Sequence, residues 1–496
     1  MGLVLNDVLA CAASGSPGRL GVTLGDEALT FGEMAGRVNR MSNALLGVGI
    51  TRGDRVAWWS DISLRGVDLY FGLGRLGAAF APLNPAFSTE EAAAILEYLK
   101  PRALVVDRAH AEQGQLLAKE LDLTLLTAAA DGQSVPGLDL DARQAQASAA
   151  DPGIAPPDES DIVAIFLTSG STGRPKGVMI SHRATWLRTH AGAAAHVTSG
   201  GKGEAVMFPL FHMAGWNFAA MAWSAHHAAH LVHRPDGPEL LATVERWSAG
   251  TLYCIPAVWH RVLATDGPFD VSSLEWALAG TSQVATELLV AISERFPGAR
   301  TTVNYGSTET ARAVALGSAD LFRKPGSVGV PIPGVEGRIA EDGELLLRTD
   351  RVMSGYFELP EETAAVLDGG WYHTGDLAEQ DDEGYLSIVG RKKEVIRSGG
   401  ETIAPADVEA VLASHPGVRE VAVIGVPDDQ WGEVVCAVVV VRDGHNAPTV
   451  DDLRTHIGGR LAPFKHPRRV LTVDELPRTA ATGQIQRSKL RQVHVS

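Results

Sequence analysis

The sequence is poor in cysteine, in positive charge and in long apolar runs, and each shortage closes off a class of protein. Three cysteines in 496 residues, Cys11, Cys254 and Cys436, stand far apart and build neither a disulfide framework nor a metal-spaced cluster. Lys and Arg total 43 against 59 Asp and Glu, a net charge of −16, which argues against general binding to nucleic acid or to an anionic membrane. The most apolar stretch, Val434 to Val441, is far too short to span a bilayer and reads as a buried strand. The opening residues Met1-Gly2-Leu3-Val4-Leu5-Asn6 lack the basic region and apolar core of a secretory signal, and Asn6 breaks the myristoylation pattern. The expectation is a cytoplasmic protein with reduced thiols, no membrane span and no nucleic-acid partner. There is no internal repeat and no low-complexity tract.

What is present is ample material for more than one core. The apolar share is 45% and the length exceeds an ordinary single domain. Apolar residues at helical spacing from Phe31 to Leu46, a strand at Arg55–Trp59, a helix from Glu90 to Leu99 and a strand at Ala103–Asp107 alternate as in α/β layers. A polar Ala/Asp/Pro-rich stretch from Gln144 to Pro157 reads as a surface link. The region Gly334 to Asp376 is richer in short strands and turns. Near Arg391 a domain break is expected, dividing 1–390 from 391–496. The second part holds a helix over Ala404–Leu412 with Pro405 near its start. Strands at Glu420–Ile424 and Glu433–Val441, a helix over Val450–Leu461 and a last strand near Arg469–Leu471 follow. The fold class expected is α/β, with a large multi-layered N-terminal domain and a small α+β C-terminal one.

The most informative stretch is Thr168-Ser169-Gly170-Ser171-Thr172-Gly173-Arg174-Pro175-Lys176-Gly177-Val178. Apolar runs lead in (Ile162–Leu167) and out (Gly177–Ile180), so it reads as a flexible connection between two strands. Small side chains let backbone N–H groups close around phosphate oxygens, and hydroxyls and Lys176 add donors and charge. It is not a Walker loop: Lys176 is followed by Gly177 and a strand-like run, where that motif needs Ser or Thr opening a helix.

This loop resembles the phosphate-binding loop of the adenylate-forming superfamily, which holds acyl-CoA synthetases, amino-acid-activating domains and beetle luciferases. Further segments follow in the family's order: Phe208-Pro209-Leu210-Phe211-His212, Ala279-Gly280-Thr281, Asn304-Tyr305-Gly306-Ser307-Thr308-Glu309, Gly355-Tyr356, Trp371-Tyr372-His373-Thr374-Gly375-Asp376 and Gly390-Arg391-Lys392-Lys393-Glu394. In this family a carboxylate attacks the α-phosphate of ATP, and a thiol then attacks the acyl carbon of the adenylate and releases AMP. The resemblance implies that Tyr305 stacks adenine and that Thr308 donates to the α-phosphate. It implies that Glu309 ligates Mg²⁺ and that Asp376 and Arg391 hold the ribose. Gly280, Thr281, Asn304, Gly306 and Ser307 complete the nucleotide site. It also implies a mobile C-terminal domain hinged at Lys393, with both domains lining the active site, and a Gly-rich loop including Gly400 beside the thiol tunnel.

His212 stands where amino-acid-activating relatives carry an aspartate for the substrate ammonium, so an acid without an α-amino group is expected. Phe211, Met213, Trp216 and Gly329 are expected at the acyl pocket, whose apolar lining favours a largely apolar acid. Arg312, just past Glu309, could in principle bind a second carboxylate, a reading that the sequence does not favour.

One departure matters. The family's terminal motif ends in Gly-Lys, and its lysine neutralises charge between carboxylate and α-phosphate during adenylation. Here the segment reads Pro477-Arg478-Thr479-Ala480-Ala481-Thr482-Gly483-Gln484, with one extra residue and Gln484 at the lysine position. A neutral amide supplies no full positive charge, and losing one aimed stabilising donor commonly costs about 10²–10³ in rate. The implied activity is thioester formation alone, from acyl-AMP and coenzyme A, with the adenylate supplied elsewhere, for instance by a separate adenylating ligase. ATP and Mg²⁺ are needed only if adenylation persists. A complete acyl-CoA ligase with Arg478, Arg487 or Lys489 replacing the cation, and a non-catalytic acyl-adenylate binder, are the alternatives.

Overall fold

The computed structural model describes residues 2–128, 135–168, 175–196, 202–398, 401–428, 430–479 and 483–494. Contacts divide the chain into two compact units. The first is Met1–Arg323 with Pro331–Val335 and Arg348–Gly370, and the second is Lys324–Val330, Glu336–Leu347 and Trp371–Ser496. The fold is mixed α/β, with the larger unit N-terminal.

Two sheets organise the first unit. In one, the central strands Glu204–Val206, Thr251–Cys254, Trp276–Gly280 and Arg300–Ser307 run parallel, and Ala311–Leu316 turns back antiparallel on the last of them. In the other, Arg55–Trp59 lies between Ala79–Pro82 and Ala103–Asp107, all parallel. That sheet continues through Ile162–Thr168 to an antiparallel hairpin partner, Lys176–Ser181. The expected strands at Arg55, Ala103 and Ile162 are therefore present. Strands buried on both faces read as unbroken apolar runs, which made them visible in the sequence. The helices Phe31–Gly47 and Thr89–Leu99 open on capping boxes, Thr30 with Glu33 and Ser88 with Glu91.

Two sequence expectations need correction. Gln144 does not open the surface link. It belongs to the helix Leu140–Gln146, and its buried amide donates to Asp68 at 2.9 Å, a carboxylate also gripped by Arg37 at 2.7 Å. The helix expected to reach Leu461 stops at Ile457, because Gly458 takes φ +51° and leaves the helical register.

In the second unit, the long hairpin Val418–Asp428 with Gly432–Val441 forms a sheet with Arg469–Thr472 and Ile396–Ser398. One face packs Val408 and Leu412 of the helix Pro405–Leu412 together with Leu453 and Ile457, and the other packs Leu476 and Leu490. Among the described residues no helix is long and apolar enough to cross a membrane.

Candidate active site

In the first unit, three of the expected motifs meet at the C-terminal edge of the parallel strands, the edge where open α/β sheets bind ligands. Phe208–His212 follows Glu204–Val206, Gly280-Thr281 ends Trp276–Gly280, and Tyr305-Gly306-Ser307 ends Arg300–Ser307. Close approach explains the glycines here. A Cβ on Gly280 would lie 2.1 Å from the Asn304 carbonyl oxygen, and one on Gly306 would lie 2.0 Å from that of Ala311. Thr281 is held at φ +66°, a costly conformation for a β-branched residue.

Glu309 is nearly buried and accepts a hydrogen bond from the Tyr356 hydroxyl at 3.0 Å. The Tyr356 ring lies under the Lys176 ammonium, 4.7 Å from its centroid. Arg188 fixes the backbone around Glu309: its guanidinium donates to the carbonyls of Thr308 (3.1 Å), Glu309 (2.6 Å) and Arg351 (2.8 Å). Burial lowers the Arg188 pKa to about 10, offset in part by the nearby Glu309 carboxylate. The Thr308 side chain bonds no described residue. Lys176 pairs with Thr168 at the hairpin's end. The loop residues Ser169, Gly170, Ser171, Thr172 and Gly173 lie outside the described residues, as does Gly400.

His212 caps the helix Met213–Ser224, with Nδ1 accepting from the Ala214 N–H at 3.2 Å. It stacks on Phe208 at 5.8 Å. Burial lowers its pKa to about 4, so the imidazole is neutral and, with Nδ1 accepting, carries its proton on Nε2. Gly215 lets the helix dock, since a Cβ there would sit 2.8 Å from the Phe208 and Pro209 carbonyls. Trp216 packs in the core against Tyr70 and Phe80 and donates to the Leu210 carbonyl at 2.6 Å. Met213 is buried and Phe211 partly exposed. The same helix presents Asn217 and Met221 to a small cavity of about 10 Å³, shared with Arg188, Arg312 and Arg351.

In the second unit, Asp376 faces Arg391 across an antiparallel pair, Oδ1 to Nε 2.8 Å. Asp376 is largely buried and Arg391 largely exposed. The turn before Asp376 is set by Glu344, which accepts from the Gly375 N–H at 2.9 Å and from Lys392 at 2.8 Å. Burial alone would raise the Glu344 pKa, but Lys392, the Gly375 amide and His373 bring it below the usual carboxylate range. Gly329 also belongs to this unit, where its carbonyl accepts from the Leu386 N–H at 2.7 Å. Lys393 is exposed in the turn after Arg391.

The segment around Gln484 is closed by backbone. Thr479 N–H donates to the Gln484 carbonyl at 2.8 Å, and Gln484 N–H donates to Thr479 Oγ1 at 3.1 Å. The side chain of Gln484 is exposed, and Ala480–Thr482 lie outside the described residues. Arg487 is clamped by both oxygens of Glu409, each at 2.8 Å, and by Glu394 at 2.9 Å. Arg478 pairs with Glu420 and donates to the Gly483 carbonyl at 2.8 Å. Lys489 is exposed and makes no ion pair or side-chain hydrogen bond among the described residues.

Sequence reasoning missed Arg188 and Glu344 and gave Tyr356 no role. Only Tyr356 carried a signal, as part of a quoted motif. Among the described residues no cluster of three or more His, Cys, Asp or Glu could hold a metal. The single carboxylate of Glu309 suits a hard cation that arrives with phosphate oxygens already bound.

Comparison with known proteins bears on these sites. A profile for AMP-binding enzymes matches residues 9–357, and one for the AMP-binding enzyme C-terminal domain matches 407–482, stopping short of Gln484. A feruloyl-CoA synthase from Amycolatopsis sp is 34% identical over 491 residues, covering 96% of both chains. An indoleacetate–CoA ligase from Aromatoleum aromaticum is 33% identical, covering 96% of this chain and 95% of its own. Among solved structures, ATP-bound MatB from Rhodopseudomonas palustris superposes with a TM-score of 0.90 at 28% identity over 99% of each chain. The anthranilate CoA ligase AuaEII in complex with anthranoyl-AMP gives 0.87 at 25%, covering 99% of this chain and 97% of its own.

Proposed function

This chain belongs to the family of AMP-binding enzymes, in its acyl-CoA ligase branch, and on that premise we propose that it carries out only the thioester-forming half-reaction. In that step the sulfur of coenzyme A attacks the acyl carbon of an acyl-adenylate. The acyl–oxygen bond to phosphate breaks, AMP leaves and the thiol proton passes to solvent.

The observation that carries this reading is the state of the cations near Gln484. Of the three candidates to replace the absent lysine, Arg487 is held by two carboxylates and Arg478 by one. Freeing Arg487 from its two carboxylates would cost stability, whereas the Arg478–Glu420 pair is more exposed and holds less firmly. Without a full cation at position 484, charge building between carboxylate and α-phosphate goes unbalanced, at a cost of about 10²–10³ in rate. In thioester formation charge builds on the departing AMP phosphate, but the resemblance implies that the lysine is then withdrawn from the site, so that step is spared. Tyr305 would stack adenine, Thr308 would donate to the α-phosphate, and Asp376 and Arg391 would hold the ribose. Lys393 would be the hinge between 1–390 and 391–496. Mg²⁺, when present with a nucleotide, would be held by Glu309 and would neutralise phosphate charge. The acyl-adenylate would come from a separate adenylating ligase.

The neutral His212 suits an acid without an α-amino group, since it provides no anion for an ammonium. The feruloyl, indoleacetyl and anthranoyl groups in the relatives' names suit an acid with a largely apolar frame.

One observation favours a second reading, a complete ligase: Lys489 has no partner among the described residues. The test has two arms. ATP, Mg²⁺ and a panel of acids are assayed for pyrophosphate exchange, and synthetic acyl-AMP with coenzyme A is assayed for acyl-CoA. Little exchange with brisk acyl-CoA formation is expected. Robust exchange would establish the complete ligase, and silence in both arms a binder of acyl-adenylate.

A further inference from the structure

Strand register places polar side chains on one face of the parallel sheet. Directly paired residues share a face, as do alternate residues along a strand. Tyr253 pairs with Leu278 and Leu278 with Thr302, and Asn304, two residues on, shares that face. A bulge between Tyr305 and Gly306 then brings Arg312 opposite Gly306, where it meets Asn217 and Met221 of the helix Met213–Ser224. The helix Met213–Ser224 covers this face, since Phe218 packs on the Tyr253 ring at 4.8 Å.

A sheet face under a helix is ordinarily apolar. Here Thr302 and Asn304 are 7% and 6% exposed, and among the described residues neither the Thr302 hydroxyl nor either polar atom of the Asn304 amide has a hydrogen-bond partner. Such groups cost free energy unless something binds them. Arg312, opposite Gly306, makes no hydrogen bond or ion pair among the described residues. Arg312 lines the small cavity together with Asn217 and Met221. The other two arginines of that cavity are committed to carbonyls, Arg188 as above and Arg351 to Pro333. Glu204 feels the Arg312 charge, but burial drives that carboxyl toward its neutral form.

We propose that Arg312 reads a second carboxylate on the acyl group, at the end remote from the reacting carbon, with Asn304 as a neutral hydrogen-bond partner on the same wall. The substrate is then the mono-adenylate of a dicarboxylic acid whose apolar frame lies along the Met213–Ser224 helix. A guanidinium matches a carboxylate with two parallel N–H···O bonds, and a largely desolvated one gains most from that pairing. This rests on the reading of the site as one that holds an acyl-adenylate.

The experiment compares matched pairs of acyl-adenylates, one ending in carboxylate and its isostere in methyl. Turnover with coenzyme A is measured, and so is direct binding of the corresponding non-hydrolysable acyl-sulfamoyl adenosines. Wild-type protein should prefer the carboxylate member roughly ten- to hundredfold, the worth of a charged hydrogen-bond pair. Arg312→Met should abolish the preference mainly through KM, and Arg312→Lys should restore part of it. Arg312 makes no hydrogen bond among the described residues, so a melting temperature close to wild type is expected. The binding arm separates the two claims. Preference in affinity without turnover would sink thioester formation while leaving the role of Arg312 standing. An equal or greater affinity for the methyl member would overturn the proposal. Equal losses for both members in Arg312→Met would also overturn it, assigning the guanidinium to the nucleotide instead.

Discussion

Tyr356 donates its hydroxyl to Glu309 at 3.0 Å while its ring carries the Lys176 ammonium at 4.7 Å, so one side chain aligns an anion and a cation of the same site. Tyr356→Phe keeps the ring and removes the hydrogen bond. A neutral-to-charged hydrogen bond of this kind contributes about 1.5 kcal/mol or more. Calorimetric titration with Mg²⁺-ATP should show affinity reduced by roughly tenfold. Unchanged affinity would mean that the proposed metal contact of Glu309 does not depend on this hydrogen bond.

Placing a cation at position 484 tests the proposed block on adenylation directly. A variant with Gln484→Lys and one residue removed from the Thr479–Gly483 loop should raise pyrophosphate exchange by about 10²-fold or more. Acyl-CoA formation from acyl-AMP should change little. No gain in exchange would place the block elsewhere.

The clamp on Arg487 predicts a stability effect without a catalytic one. Arg487→Met leaves Glu409 and Glu394 facing each other's charge in a largely buried setting. Unfolding in urea should reveal a loss of about 2 kcal/mol. Exchange activity should stay at the wild-type level. Lys489→Ala should likewise leave exchange unchanged, and a collapse there would favour the complete ligase.

Three buried histidines predict an acid-side decline. Burial lowers His182, His212 and His230 to about 4, below the ordinary 6.5. Between those values the unfolded chain binds protons that the folded chain refuses, so stability falls as pH drops from 6.5 toward 4. Each histidine contributes a slope of up to about 1.4 kcal/mol per pH unit. Urea midpoints at pH 7 and pH 5 should differ accordingly. The His182→Gln variant should show a shallower dependence.

Much of the fold could be read from the sequence because its strands are continuous apolar runs and its helices start on local caps. Thr30 and Glu33, three positions apart, need no tertiary information. The close approach at Gly280 and Gly306 was legible as motif but not as geometry, since the atoms that forbid a Cβ come from other strands. Arg188 was illegible for the same reason: the carbonyl of Thr308 that it holds lies 120 residues away. Glu344 reaches 31 residues on to the Gly375 amide. Gln144 reads as linker in a stretch rich in Ala and Asp, while its buried partner Asp68 lies 76 positions earlier.

The Arg487 clamp also has a mechanical side. Glu394 immediately follows Lys393, and Arg487 ties it to Glu409 and to the start of the final helix, Arg487–His494. A swivel at Lys393 would therefore not be diluted through a slack tail. It would be delivered whole to the chain end, carrying the Gln484 turn along like the tip of a lever.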